Sequence, residues 1–135
     1  MKEKLQELLK NSYSPYSNYQ VAAILVTKDN KEFMGVNVED ATTRAGTCAE
    51  RNAIFNAITN GYKKHDFKEI NIMVSSGKIG MPCFVCRQMM LEMFDLDVIV
   101  RCFSTKGEVV EHTLKELCPY PFDSEDLLWE VDLYH

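Results

Sequence analysis

Residues 70–86, INIMVSSGKIGMPCFVC, hold the strand-to-helix transition on which the fold turns. Ile70–Ser75 is a short apolar run with β-branched residues, the pattern of a buried strand. The glycine-containing loop Ser76–Met81 ends it. Pro82 then predicts a helix running to about Phe94, because proline at the first helical position loses no hydrogen bond. Downstream, Asp97–Phe103 (DVIVRCF) and Glu108–Leu114 (EVVEHTL) read as strands flanking a Lys106-Gly107 turn. Upstream, a helix is expected from about Cys48 to Asn60, with Gly61 as its stop signal. Val21–Thr27 (VAAILVT) and Glu32–Val38 (EFMGVNV) read as a hairpin turning at Asp29-Asn30. Leu5, Leu8 and Leu9 follow the i, i+3, i+4 spacing of a short amphipathic helix, which the loop Asn11–Asn18 breaks. A short terminal helix is expected over Ser124–Trp129. The order α-β-β-α-β-α-β-β-α predicts an α/β fold, a three-layer α-β-α sandwich around a mixed five-stranded sheet.

Composition narrows the function. The 135 residues fit one domain, 1–135, and the 46% hydrophobic content supplies a core without disulfide staples. No apolar run approaches the roughly 18 residues of a membrane span, and residues 1–10 (MKEKLQELLK) lack a signal-peptide core, so a cytoplasmic location is expected. Fifteen basic against twenty acidic residues leave a net charge of −5 with no basic run to neutralise phosphates. A nucleic acid polymer is therefore a poor partner and a small uncharged or cationic molecule a better one. Five cysteines, unevenly clustered, point to metal or redox chemistry before disulfides.

Cys83-Phe84-Val85-Cys86 brings two thiols to one face of a helix's first turn, where exposed N–H groups favour thiolates. By itself this C-x-x-C fits a redox dithiol as well as a metal site. Cys48, in Thr47-Cys48-Ala49-Glu50, sits at a second expected helix start, so two helix N-termini can meet. Three thiolates with an open fourth position suit catalytic zinc, whereas structural sites are usually closed by four ligands. Cys102 lies mid-strand and Cys118 precedes Pro119; both read as ordinary buried cysteines. Thr47-x-x-Glu50 also matches a capping box, the plain structural reading of Glu50. Two positions from a ligand, the same carboxylate can instead carry a proton from water to a leaving group.

With Cys48-Ala49-Glu50 followed by Pro82-Cys83-x-x-Cys86, the chain resembles the zinc-dependent cytidine deaminases. The resemblance runs from Ser14-Pro15-Tyr16-Ser17 through Gly35-Val36-Asn37-Val38-Glu39 and Cys86-Arg87-Gln88 to Leu117-Cys118-Pro119-Tyr120-Pro121-Phe122. It is similar to the short, three-cysteine, homotetrameric branch, which converts cytidine and deoxycytidine to the uridine nucleosides in pyrimidine salvage. The resemblance implies one zinc per chain on Cys48, Cys83 and Cys86, with Glu50 moving protons during hydrolytic deamination at C4. It implies that Asn37 and Glu39 hold the ribose 3′-hydroxyl, although alone they read as a turn at a strand end. Tyr19, in the place of a usual phenylalanine, and Ala49 would lie beside the substrate, with core packing the plain reading of Tyr19. Phe122 would reach a neighbouring subunit's active site, where alone it reads as the anchor of the C-terminal segment. Arg51 and Gln88 would donate hydrogen bonds to the thiolates and offset the site's net charge of −1. A solvated helix face is the competing reading for both.

Departures from the family pattern are Phe84 and Val85 for a usual Gly-Ala, Thr43 for tyrosine and Ala22 for glycine. They bear on substrate range and subunit packing and leave the ligands and Glu50 intact. Within the class, an aminonucleoside-antibiotic (blasticidin-type) deaminase is the rival, and Glu39 argues against it. A non-catalytic zinc scaffold would not need Glu50, and a thiol-disulfide oxidoreductase leaves Cys48 unexplained.

Overall fold

All seven residues of β1 (Val21–Thr27) are buried, as an interior strand covered on both faces requires. The computed structural model describes residues 1–127. Around β1 it arranges β2 (Glu32–Val36), β3 (Phe67–Val74), β4 (Ile99–Phe103) and β5 (Val109–Thr113) in the order β2-β1-β3-β4-β5. The β3–β4 pair is parallel and the other pairs are antiparallel. Parallel neighbours need a crossover, and α3 (Phe84–Met93) supplies it.

Alternation along the strands sorts two cores. Ala23, Leu25, Ile70, Ile72 and Val100 face α2 (Ala49–Thr59) and α3. Ala22, Ile24, Met73 and Phe103 face α1 (Lys2–Leu9) on the other side, where Leu5 and Leu9 meet them. Eight residues make a marginal helix in isolation, so α1 depends on this contact. Burying each leucine contributes about 1.5–3 kcal/mol. The three layers and mixed five-stranded sheet match the expected fold class.

Three local expectations need correction. Pro82 lies outside α3: Cys83 is the N-cap, extended at φ −65° and ψ 162°, and its Sγ accepts the Cys86 N–H. Thr113 and Glu116 form a capping box that starts an unexpected short helix, α4 (Leu114–Leu117), directly after β5. The terminal helix is only a 3₁₀ turn over Ser124–Asp126, and positions 128–129 of the expected span lie outside the described residues.

Close packing sets where α2 begins. A Cβ on Gly35 would stand 2.3 Å from the Ala49 carbonyl oxygen and 2.5 Å from the Ala53 nitrogen, so β2 and α2 meet backbone to backbone. Asn52 Nδ2 adds a 2.7 Å bond to the Val36 carbonyl. At the start of α3, Arg87 donates to the Pro82 carbonyl (2.8 Å) and the Leu117 carbonyl (3.0 Å), tying its first turn to α4.

Candidate active site

Cys48 caps α2 as Cys83 caps α3, both in extended backbone, so the two N-termini converge. Their sulfurs lie 3.9 Å apart, and the Cys48, Cys83 and Cys86 sulfurs all fall within 4.8 Å of one another. Thiolates on a tetrahedral zinc, with bonds of about 2.3 Å, stand roughly 3.8 Å apart, so this donor set fits the metal. No other such group of three ligands occurs among the described residues. All five cysteines are free. Cys102 is buried in β4, and burial pushes its thiol up to about 11, in keeping with a core cysteine.

Electrostatics favour a thiolate at Cys48, lowered to about 5 first by a hydrogen bond from Cys86 and further by Arg51 and Cys83. Donating to Cys48 raises the Cys86 thiol in turn, and burial adds to the rise. Arg51 Nη2 stands 3.4 Å from the Cys48 sulfur. The Gln88 amide donates to the Phe122 carbonyl at 2.7 Å.

Glu50 is 4% exposed in the first turn of α2. It is no capping-box partner, because Cys48 is the N-cap and the buried Thr47 hydroxyl has no hydrogen-bond partner. Burial pushes the Glu50 carboxyl up to about 7, and the neighbouring Cys48 charge acts in the same direction. The side chain borders a cavity of about 390 Å³ shared with Cys48, Cys83, Tyr19, Asn37 and Glu39. Val21, Ile72, Val74 and Met81 complete its apolar wall. That volume suits a small-molecule site.

Asn37 and Glu39 are both held firmly. Asn37 Nδ2 donates to the Tyr19 carbonyl (2.6 Å), while Oδ1 accepts from the Val21 N–H (2.9 Å) and from the Ser12 hydroxyl. Glu39 Oε1 accepts the N–H groups of Tyr16 (3.0 Å) and Ser17 (3.1 Å), and Oε2 accepts the Ser17 hydroxyl. Led by the Ser17 hydroxyl, these bonds hold the Glu39 carboxyl below its usual range. Sequence reasoning treated Ser12 and Ser17 only as loop residues; the density of hydroxyls in NSYSPYSN was the available signal. A second cavity of about 440 Å³ shares Ser17, Asn37, Glu39 and Cys48 with the first and includes Thr43 and Arg51.

Other singled-out residues lie further out. Ala49, expected beside the substrate, is fully buried with its carbonyl oxygen packed against Gly35. Phe84 is 76% exposed with its ring under the Arg87 guanidinium, and Val85 is also exposed, so neither bulks against the sulfurs. Phe122 is 56% exposed, at odds with an intramolecular anchor.

Comparison with known proteins agrees with this geometry. The family model of the cytidine and deoxycytidylate deaminase zinc-binding region matches residues 1–102. The cytidine deaminase of Halalkalibacterium halodurans is 35% identical over 127 residues, 94% of each chain. That of Mycoplasma genitalium is 31% identical over 115 residues, 85% of this chain and 87% of its own. Among solved structures, the cytidine deaminase from Burkholderia pseudomallei superposes with a TM-score of 0.85 at 36% identity, covering 89% of this chain and 94% of that one.

Proposed function

The chain belongs to the cytidine and deoxycytidylate deaminase family, and from that membership we propose that it hydrolyses cytidine and deoxycytidine to uridine and deoxyuridine, releasing ammonia, in pyrimidine salvage. The observation that carries this reading is a buried carboxyl, Glu50, on the same cavity as Cys48 and Cys83, two of three converging sulfurs.

Cys48, Cys83 and Cys86 would hold one zinc, which supplies Lewis acidity to activate water. Glu50 takes one proton from the attacking water and passes it to N3 of the base, then takes the proton of the new C4 hydroxyl and delivers it to the amino group, which leaves as ammonia. Its burial keeps the carboxyl near the point where accepting and returning a proton are both accessible. Arg51 offsets the excess negative charge of three thiolates through its bond to Cys48.

Asn37 and Glu39 suit a sugar hydroxyl by what their fixed bonds leave over. Asn37 keeps one amide hydrogen as a donor, and Glu39 Oε2 keeps acceptor capacity. One hydroxyl can accept from the first and donate to the second. Free cytosine should accordingly be a very poor substrate beside cytidine. Glu39→Ala should lower kcat/KM for nucleosides by about 10–150-fold, the equivalent of roughly 1.5–3 kcal/mol for a hydrogen bond to a charged group. A spectroscopic assay on cytidine, deoxycytidine, cytosine and blasticidin S reads both. Equal turnover of cytosine and cytidine would reduce Asn37–Glu39 to a turn.

We place the enzyme in the cytoplasm, where a reducing environment keeps thiols free. No helix among the described residues is long and apolar enough to cross a membrane. The assembly is a homotetramer in this reading, with Phe122 completing a neighbour's site. The exposure of Phe122, and the Gln88 bond that fixes its backbone, support such a donation. Mixing inactive Glu50→Ala and Phe122→Ala chains under subunit exchange should restore activity, because some sites then combine both intact residues. Proven exchange without recovery would leave Phe122 with no role in trans.

A further inference from the structure

Gly80 stands where the loop after β3 passes the cavity wall. A Cβ there would lie 2.7 Å from both Val74 methyls and 2.8 Å from the Tyr19 hydroxyl oxygen. Its φ is outside the left-handed region occupied by Gly61, Gly77 and Gly107, so backbone conformation does not demand glycine at this position. Space does. Val74 and Tyr19 both line the cavity that carries Glu50, Cys48 and Cys83.

Neither neighbour can retreat freely. Val74 ends β3, and its β-branched side chain has few rotamers. Tyr19 is pinned along its backbone: its N–H donates to the Ser17 hydroxyl (3.0 Å), and its carbonyl accepts from Asn37 (2.6 Å). The next residue is tied to the strand end twice, Gln20 N–H to the Ser75 hydroxyl and Ser75 N–H to the Gln20 carbonyl, each at 2.9 Å. The soft coordinate left is the Tyr19 ring, and the ring borders the cavity.

We propose that Gly80 is a positioning residue for the base-binding wall: its missing side chain accommodates the Tyr19 hydroxyl, so residues 19 and 80 act as a matched pair that sets the width of the cavity. This rests on the reading that the cavity takes a cytosine nucleoside. A methyl at position 80 displaces the tyrosine ring while the sulfurs and Glu50, held on α2 and α3, stay in place. The cost therefore falls on substrate binding. Removing the tyrosine hydroxyl relieves one of the contacts and gives the loop room to shift.

Steady-state kinetics on cytidine and deoxycytidine test this with wild type, Gly80→Ala, Tyr19→Phe and the double variant, with zinc content and Tm recorded for each. Gly80→Ala should raise KM about tenfold or more while kcat stays within about threefold, the pattern of lost ground-state binding. Tyr19→Phe sets its own reference KM, and the double variant should return to within about threefold of that reference, a coupling that independent sites do not show. An unchanged KM in Gly80→Ala, or effects that simply multiply, overturns the pairing and leaves the deaminase reading standing. A folded, zinc-loaded wild type that turns over neither nucleoside overturns both. Should Gly80→Ala fail to fold, the double variant decides: folding with a KM near that of Tyr19→Phe supports the pair, and misfolding or a high KM overturns it.

Discussion

Glu50→Gln should retain zinc and fold while its turnover of cytidine falls by about 10⁴-fold or more, at or beyond the upper end of general acid–base effects. The size follows from repeated use of one carboxyl. In the proposed chemistry it moves one proton from water to the ring and a second from the C4 hydroxyl to the leaving amino group, and an amide does neither. The fold should survive because glutamine keeps the shape of a side chain that is 4% exposed. Glu50 also caps nothing here, since Cys48 is the N-cap and the Thr47 hydroxyl has no partner. Rate measurement with matched zinc content separates loss of the proton carrier from loss of the metal. A near-normal rate would remove Glu50 from the chemistry.

Cys83→Ala should lose metal and activity together. The purified wild type should carry about one zinc per chain, as a three-thiolate site with one open position implies. Cys83 is the informative ligand to remove because it is exposed, whereas Cys86 is buried among the core residues of α3. Its truncation forfeits a 3.5 Å contact from the Cys86 N–H, and loss of an N-cap typically costs about 0.5–2 kcal/mol, too little to unfold most domains. Metal analysis, circular dichroism and the cytidine assay on one preparation read all three quantities. Full activity in a metal-free preparation would end the zinc mechanism.

Two copies of one short pattern mark how far sequence reasoning reached. Thr47-x-x-Glu50 and Thr113-x-x-Glu116 both carry the capping-box signature. Only the second forms the box, and it starts α4, which sequence periodicity missed because four residues are too few to show a period. At the first, Gly35 and Asn52 set the approach of β2 to α2, Cys48 takes the cap position, and Glu50 is freed for the cavity. Local pattern cannot tell the two apart, because what separates them is a contact between elements distant in the chain. Gln88 teaches the same lesson: the family resemblance implied a bond to the thiolates, while its amide meets the Phe122 carbonyl.

By itself, the sequence determined the alternation of helices and strands, the two helix starts that carry cysteines, and the choice of Cys48, Cys83, Cys86 and Glu50 as candidates for one site. Each of these is written in local periodicity, in Gly and Pro punctuation, or in side-chain chemistry that survives any packing. Tertiary structure alone decided the strand order β2-β1-β3-β4-β5, the 3.9 Å approach of sulfurs 35 positions apart, the bonds that ready Asn37 and Glu39, and the space Gly80 leaves for Tyr19. These depend on how two apolar sheet faces bury their helices, and burial is a property of the whole chain that no short window contains.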